Sequence, residues 1–105
     1  MGNTEYTVII SENAANELLQ HVKFLAEVSI PAAQRLNVDI IDAANSLSAF
    51  PGRNPWLNDP VIRPNKYRKM VVAEHYLLIY QIKDRTVYID YIVDCRQNYI
   101  WLLSR

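Results

Sequence analysis

Four cations crowd one short stretch of this sequence, Arg63, Lys66, Arg68 and Lys69, with Tyr67 among them. Guanidinium and ammonium groups at that density can hold phosphates or an acidic partner. A ring between them can stack on a base or a protein partner, as Tyr91 and Tyr99 can further along. The same residues have a plainer use, because lysine and arginine guard a solvated edge strand against unwanted pairing. His75 stands beside Glu74, and an imidazole can act as a general acid or base, or the residue can simply occupy a turn. Asp90 and Asp94 face the same way on one predicted strand, but about 13 Å of extended chain separates them, too far for a dyad sharing a proton. Arg96 can lower the thiol pKa of Cys95, yet no base stands near it, and a buried or half-buried structural thiol is expected. Gly2 and Gly52 are the only glycines, so no glycine-rich phosphate loop is possible.

The elements that must position these residues are legible in the hydrophobic period. Tyr6–Ile10 is β-branched and aromatic and reads as a strand, stopped by Ser11, a good N-cap. Ala15, Leu18, Leu19, Val22, Leu25 and Ala26 recur at helical spacing up to about Val28, which places His21 on the solvent side. Pro31 starts a second helix with Ala33, Leu36, Ile40, Ala44 and Leu47 on one stripe, ended by Phe50-Pro51-Gly52. The short link makes the two helices an antiparallel hairpin. Residues 51 to 64 hold four of the five prolines and read as an ordered loop, pinned by Trp56 and Val61.

Beyond the loop the period becomes two. Tyr67–Val72, Tyr76–Ile82 and Val87–Val93 form a three-strand meander joined by tight hairpins, with the doubly apolar middle strand in the centre. Tyr76 and Tyr80 share its core-facing register. Arg96 to Leu103 closes the chain as a short helix or a further strand, with Trp101 and Leu102 packing down. The predicted fold class is α+β: an N-terminal strand, then an antiparallel helical hairpin on one face of an antiparallel sheet completed by the meander.

Composition limits what such a domain can do. The 105 residues fit one domain, residues 1–105, with half of them apolar and formal charge balanced at zero. The balance hides an asymmetry: residues 1–50 sum to −4 and residues 51–105 to +4. The lone cysteine excludes an internal disulfide and a four-cysteine zinc site, and no apolar run reaches the length of a membrane span. A cytoplasmic domain with neither metal nor cofactor is the expectation.

The segment from Tyr67 to Tyr80 (YRKMVVAEHYLLIY), together with Val87 to Tyr99 (VYIDYIVDCRQNY) and the upstream Leu47-Ser48-Ala49-Phe50-Pro51, resembles the RelE/ParE superfamily of bacterial type II toxins. The resemblance runs from the first strand to the tail. It implies a compact α+β toxin held by a cognate antitoxin and aimed at DNA gyrase or at ribosome-bound messenger RNA, with a homodimer or a toxin–antitoxin hetero-oligomer as the assembly.

In the ribonuclease branch, basic side chains on the sheet and a tyrosine or histidine near the C-terminus handle the scissile phosphate. Carried onto this chain, Arg68, Arg96 and Tyr99 match, with His75 as a spare proton carrier. Met70 and Leu77 stand where further cations belong, and one lost stabilising donor costs roughly 10²–10³-fold in rate. The resemblance therefore favours a ParE-like toxin that binds its target through Arg68, Lys69, Arg96 and Tyr99.

Overall fold

A computed structural model describes residues 5 to 103. The order is β1 (Thr7–Ile10), α1 (Glu12–Ala26), α2 (Ile30–Ser46), a 3-10 turn (Pro51–Arg53), β2 (Arg68–Val72), β3 (Tyr76–Lys83), β4 (Thr86–Asp94) and α3 (Ile100–Leu103). The strands lie in the order β1-β4-β3-β2. The meander is antiparallel as expected, but β1 joins parallel to β4, pairing Thr7 with Thr86 and Ile10 with Ile89, so the sheet is mixed.

Local chemistry sets the helix ends. Ser11 Oγ accepts from the Ala14 N–H at 2.9 Å and Glu12 meets the positive end of α1. Ser29 Oγ accepts from the Ala32 N–H at 3.2 Å, with Pro31 in the first turn of α2. At the far end of α2, Arg53 Nη1 donates to the carbonyls of Ala49 (2.6 Å), Ser46 and Phe50, which occupies orphan acceptors there.

The helical hairpin packs on one face of the sheet. Leu18, Leu36, Ile40, Ala44 and Leu47 meet Leu78, Tyr80, Val87, Ile89 and Ile92 in the main core. On α1 the expected Leu18, Val22 and Leu25 face the core, but Ala14 takes the place of Ala15 there, and Ala15 and Leu19 face solvent.

The opposite face is also covered. Leu57, Ile62 and Tyr67 from the proline-rich loop close over Leu77, Ile79 and Val93, and Tyr91, Tyr99, Ile100 and Leu103 pack around them. Alternation along β3 puts Leu77 and Ile79 on the side away from Leu78 and Tyr80, so this is a second core. Ile62 and Leu57 do the pinning expected of Val61, which is exposed. The C-terminal segment is a helix, and the side chains of Trp101 and Leu102 lie outside the described residues.

A bulge in β4 corrects the reading of its aspartates. Tyr80 pairs with Ile89 and Ile79 with Tyr91, which leaves Asp90 as the extra residue and inverts the alternation beyond it. Asp94, opposite Tyr76, therefore belongs to the helix-facing side. Asp90 lies with Gln81, whose Nε2 donates to Asp90 Oδ2 at 2.6 Å. The two carboxylates look to opposite faces.

Candidate functional site

Past the end of β1, the free edge of β4 would present unpaired backbone groups, and α1 supplies partners for them. Ser11 Oγ and Asn13 Nδ2 donate to the Asp90 carbonyl at 3.2 and 3.1 Å. Glu17 Oε1 accepts from the Ile92 N–H at 2.8 Å, and one turn later His21 Nε2 meets the Ile92 carbonyl at 2.8 Å. His21 also packs edge-on against Tyr76, with ring centroids 5.2 Å apart. The sequence placed His21 in solvent; it is instead a half-buried clamp on the sheet edge. Burial raises the Glu17 carboxyl above its ordinary value, against the pull of the Ile92 N–H and of His21.

This clamp forms one wall of a concavity of about 240 Å³, whose other side is Asp94, Gln97, Asn98 and Tyr99. Arg96 stands at its margin and pairs in a bidentate manner with Asp94, Nε to Oδ1 at 2.9 Å and Nη2 to Oδ2 at 2.8 Å. The Arg96 guanidinium holds the Asp94 carboxyl below its usual range. Burial pushes the Tyr99 hydroxyl up, with Cys95 and Asp59 adding to it, so at neutral pH this phenol is protonated and is a poor proton acceptor. His75 is half-buried in the β2–β3 hairpin, its Nε2 3.8 Å from Glu74 Oε1, and its carbonyl accepts from the Cys95 N–H at 2.7 Å. Cys95 is exposed rather than buried, because it sits in the turn that leaves β4.

Arg68 is elsewhere. It begins β2 opposite Tyr80, while Asp94 lies opposite Tyr76, so four residues of strand and two strand spacings part it from the Arg96 end. That is about 13 Å along the sheet and about 10 Å across. Its Nη1 donates to the carbonyls of Asn54 (2.7 Å) and Gly52 (3.2 Å), and its guanidinium lies 3.8 Å over the Trp56 ring. Lys69 pairs with Ile79 and donates its backbone N–H to the Pro55 carbonyl at 3.1 Å. Of the four binding residues read from sequence, the structure places Tyr99 in the same concavity as Asp94, the partner of Arg96, and sets Arg68 and Lys69 at the far end of the sheet on opposite faces of β2.

The aromatic residues follow the same pattern. Tyr67 is buried and meets Tyr91 edge-on at 6.0 Å, so its ring is closed to a base. Burial, with Asp90 and Tyr91 nearby, pushes its hydroxyl up to about 12. Tyr80 is fully buried, and its hydroxyl donates to the Pro51 carbonyl at 2.6 Å and accepts from Asn54 Nδ2 at 3.1 Å. Met70 packs against the main core, where a cation would be expensive. Leu77 is buried in the second core for the same reason.

A family model described as "ParE toxin of type II toxin-antitoxin system, parDE" matches residues 8–99. The chain belongs to the ParE toxin family. The family implies an antitoxin partner. The fold agrees: a solved structure titled "Chromosomal ParDE TA system from P. aeruginosa" superposes with a TM-score of 0.72, over 88% of this chain and 98% of that one, at 14% sequence identity. No curated protein matches the chain in sequence. Among the described residues of this ParE-family chain, no group of three histidine, cysteine or acidic side chains could hold a metal ion, and no helix is long and apolar enough to cross a membrane.

Two features of this family member escaped the sequence. One is the Glu17/His21 clamp, whose i, i+4 spacing is visible but whose partner is the Ile92 backbone, 75 and 71 residues away along the sequence. The other is the second role of Trp56, which pins the loop to β2 as expected and is also the floor on which Arg68 rests. An aromatic residue between prolines just upstream of a cationic strand was the only available sign of it.

Proposed function

We propose that this ParE-family toxin stops growth by gripping a macromolecular target, with DNA gyrase as that target, and that a cognate antitoxin neutralises it. The observation that carries the reading is the state of its two best-matched guanidiniums. Arg68 is committed to Gly52, Asn54 and Trp56, and Arg96 to Asp94, at separate ends of the sheet. Phosphodiester cleavage needs convergent donors aimed at one developing charge, and these do not converge. A binding toxin has no such requirement.

Lys69 and Tyr99, whose side-chain polar atoms have no hydrogen-bond partner among the described residues, and Arg96, exposed beyond its ion pair, are the contacts we assign to the target. Arg68 orders the loop beside them. With the second sheet face covered, the antitoxin has more apolar surface to gain at the tip of the helical hairpin, where Phe24, Val28 and Ile30 are 72%, 79% and 62% exposed.

Induction in a bacterial host distinguishes the mechanisms. SOS induction with gyrase-linked DNA breaks is the expected outcome. Truncated transcripts without breaks would support a ribosome-dependent endoribonuclease built on Arg96, Tyr99 and His75, and undisturbed growth would leave a protein that only binds antitoxin.

A further inference from the structure

A second concavity, of about 320 Å³, lies on the sheet half of the molecule, between the proline-rich loop and the end of β3. Arg63, Lys66, Arg68 and Lys83 line it, and no carboxylate does. Asp90 reaches this lining only through Gln81, whose amide donates to it. Arg63, Lys66 and Lys83 are exposed and form no ion pair among the described residues, although the chain as a whole is neutral. Lys66 lies 5.1 Å over the Tyr67 ring, which carries no net charge, so clustering three cations without a carboxylate in one hollow costs electrostatic repulsion that an anion would relieve.

We propose that this hollow is a contact site for the phosphodiester backbone of duplex DNA, engaged by Arg63, Lys66 and Lys83. The hollow is concave and cationic, and its aromatic neighbours offer little open ring face for stacking. Arg68 covers a face of Trp56 at 3.8 Å, and Tyr67 is buried against Tyr91. Single-strand binding draws much of its strength from bases stacked on open rings. Without such rings the cations read backbone charge alone, as non-specific duplex binding does. Arg68, tied to the loop carbonyls, fixes the floor of the hollow and adds its charge to the field.

The proposal does not rest on the gyrase reading, and its test contains no gyrase, so each can fail alone. Fluorescence anisotropy of a labelled 20-base-pair duplex is followed against the full-length protein from low to moderate salt. Three phosphate contacts predict a slope of log affinity against log salt of about −2.7, an affinity loss of about 40-fold between 50 and 200 mM salt. The triple variant Arg63→Gln/Lys66→Gln/Lys83→Gln should flatten that slope to near zero, and each single variant should reduce it by about 0.9. Lys23→Gln/Arg35→Gln, on the acidic helical half, should leave it unchanged. The proposal is overturned if the triple variant keeps the wild-type slope, if a single-stranded oligonucleotide of equal length binds more tightly than the duplex, or if polyglutamate binds at low salt while the duplex does not.

Discussion

Arg68 and Trp56 are joined twice: their backbones form an antiparallel bridge, and the guanidinium of one lies 3.8 Å over the ring of the other. Around that joint, Leu57 donates its N–H to the Tyr67 carbonyl at 2.7 Å and Lys69 to the Pro55 carbonyl at 3.1 Å, so residues 55–57 act as a short extra strand on the outer edge of β2. A cation that sequence reading assigns to a ligand is the fastener of the loop that roofs the second core.

If Arg68 is a fastener, its removal shows in stability. Arg68→Ala should cost about 1–2 kcal/mol in urea denaturation, the worth of charge-assisted hydrogen bonds and a cation–π contact at a partly exposed site. Arg68→Lys should recover less than half of that, because an ammonium lacks the planar fork that reaches two carbonyls while stacking. An unchanged urea midpoint in Arg68→Ala would show that the joint contributes nothing.

Tyr80 ties the same loop to the main core. Tyr80→Phe leaves Asn54 Nδ2 and the Pro51 carbonyl without their partner and should cost about 2 kcal/mol, with a faster amide exchange in the Pro51–Arg53 turn. Unaltered exchange there would separate the turn from the hydroxyl.

Glu17 and Asp94 should pull stability in opposite directions with pH. Asp94 has a depressed folded pKa, so its contribution is present above the unfolded value near 3.9 and is lost as pH falls through the folded one. Arg96→Gln should move the Asp94 titration, followed by NMR, back towards its ordinary value. A titration that stays put would mean that the bidentate pair does not persist in solution.

Glu17 has a raised folded pKa, so the protein gains from it below the unfolded value near 4.3 and loses that gain as pH rises through the folded one. Glu17→Gln, which can still accept from the Ile92 N–H, should remove this pH dependence and be at least as stable at pH 7. Glu17→Ala should instead lose about 1–2 kcal/mol, because it strands that N–H. Equal stability of the two variants in urea would argue that water replaces the clamp.

How much of this was legible depended on whether partners were near in sequence. The hairpin, the meander and the central place of Tyr76–Ile82 follow from period and turn spacing, and the caps at Ser11 and Ser29 are local chemistry. The sequence could not show that β1 lies parallel to β4, since that pairing joins residues almost eighty positions apart. Nor could it show the bulge at Asp90, which depends on pairing with Ile79 and Tyr80 and reverses the aim of every later side chain in β4. The covering of the second sheet face was hidden for a related reason. Leu57 and Ile62 sit in a proline-rich stretch with no period, so nothing marked them as a lid over Leu77 and Ile79. His21 went astray because its partners, the Ile92 carbonyl and the Tyr76 ring, lie far along the chain.

The most direct test of a binding rather than a cleaving toxin is a gyrase assay with purified protein, ATP and relaxed plasmid. The account predicts loss of supercoiling with accumulation of cleaved plasmid in a gyrase-dependent manner, and intact messenger RNA on programmed ribosomes. Full supercoiling at excess toxin, together with cut message on those ribosomes, would contradict it.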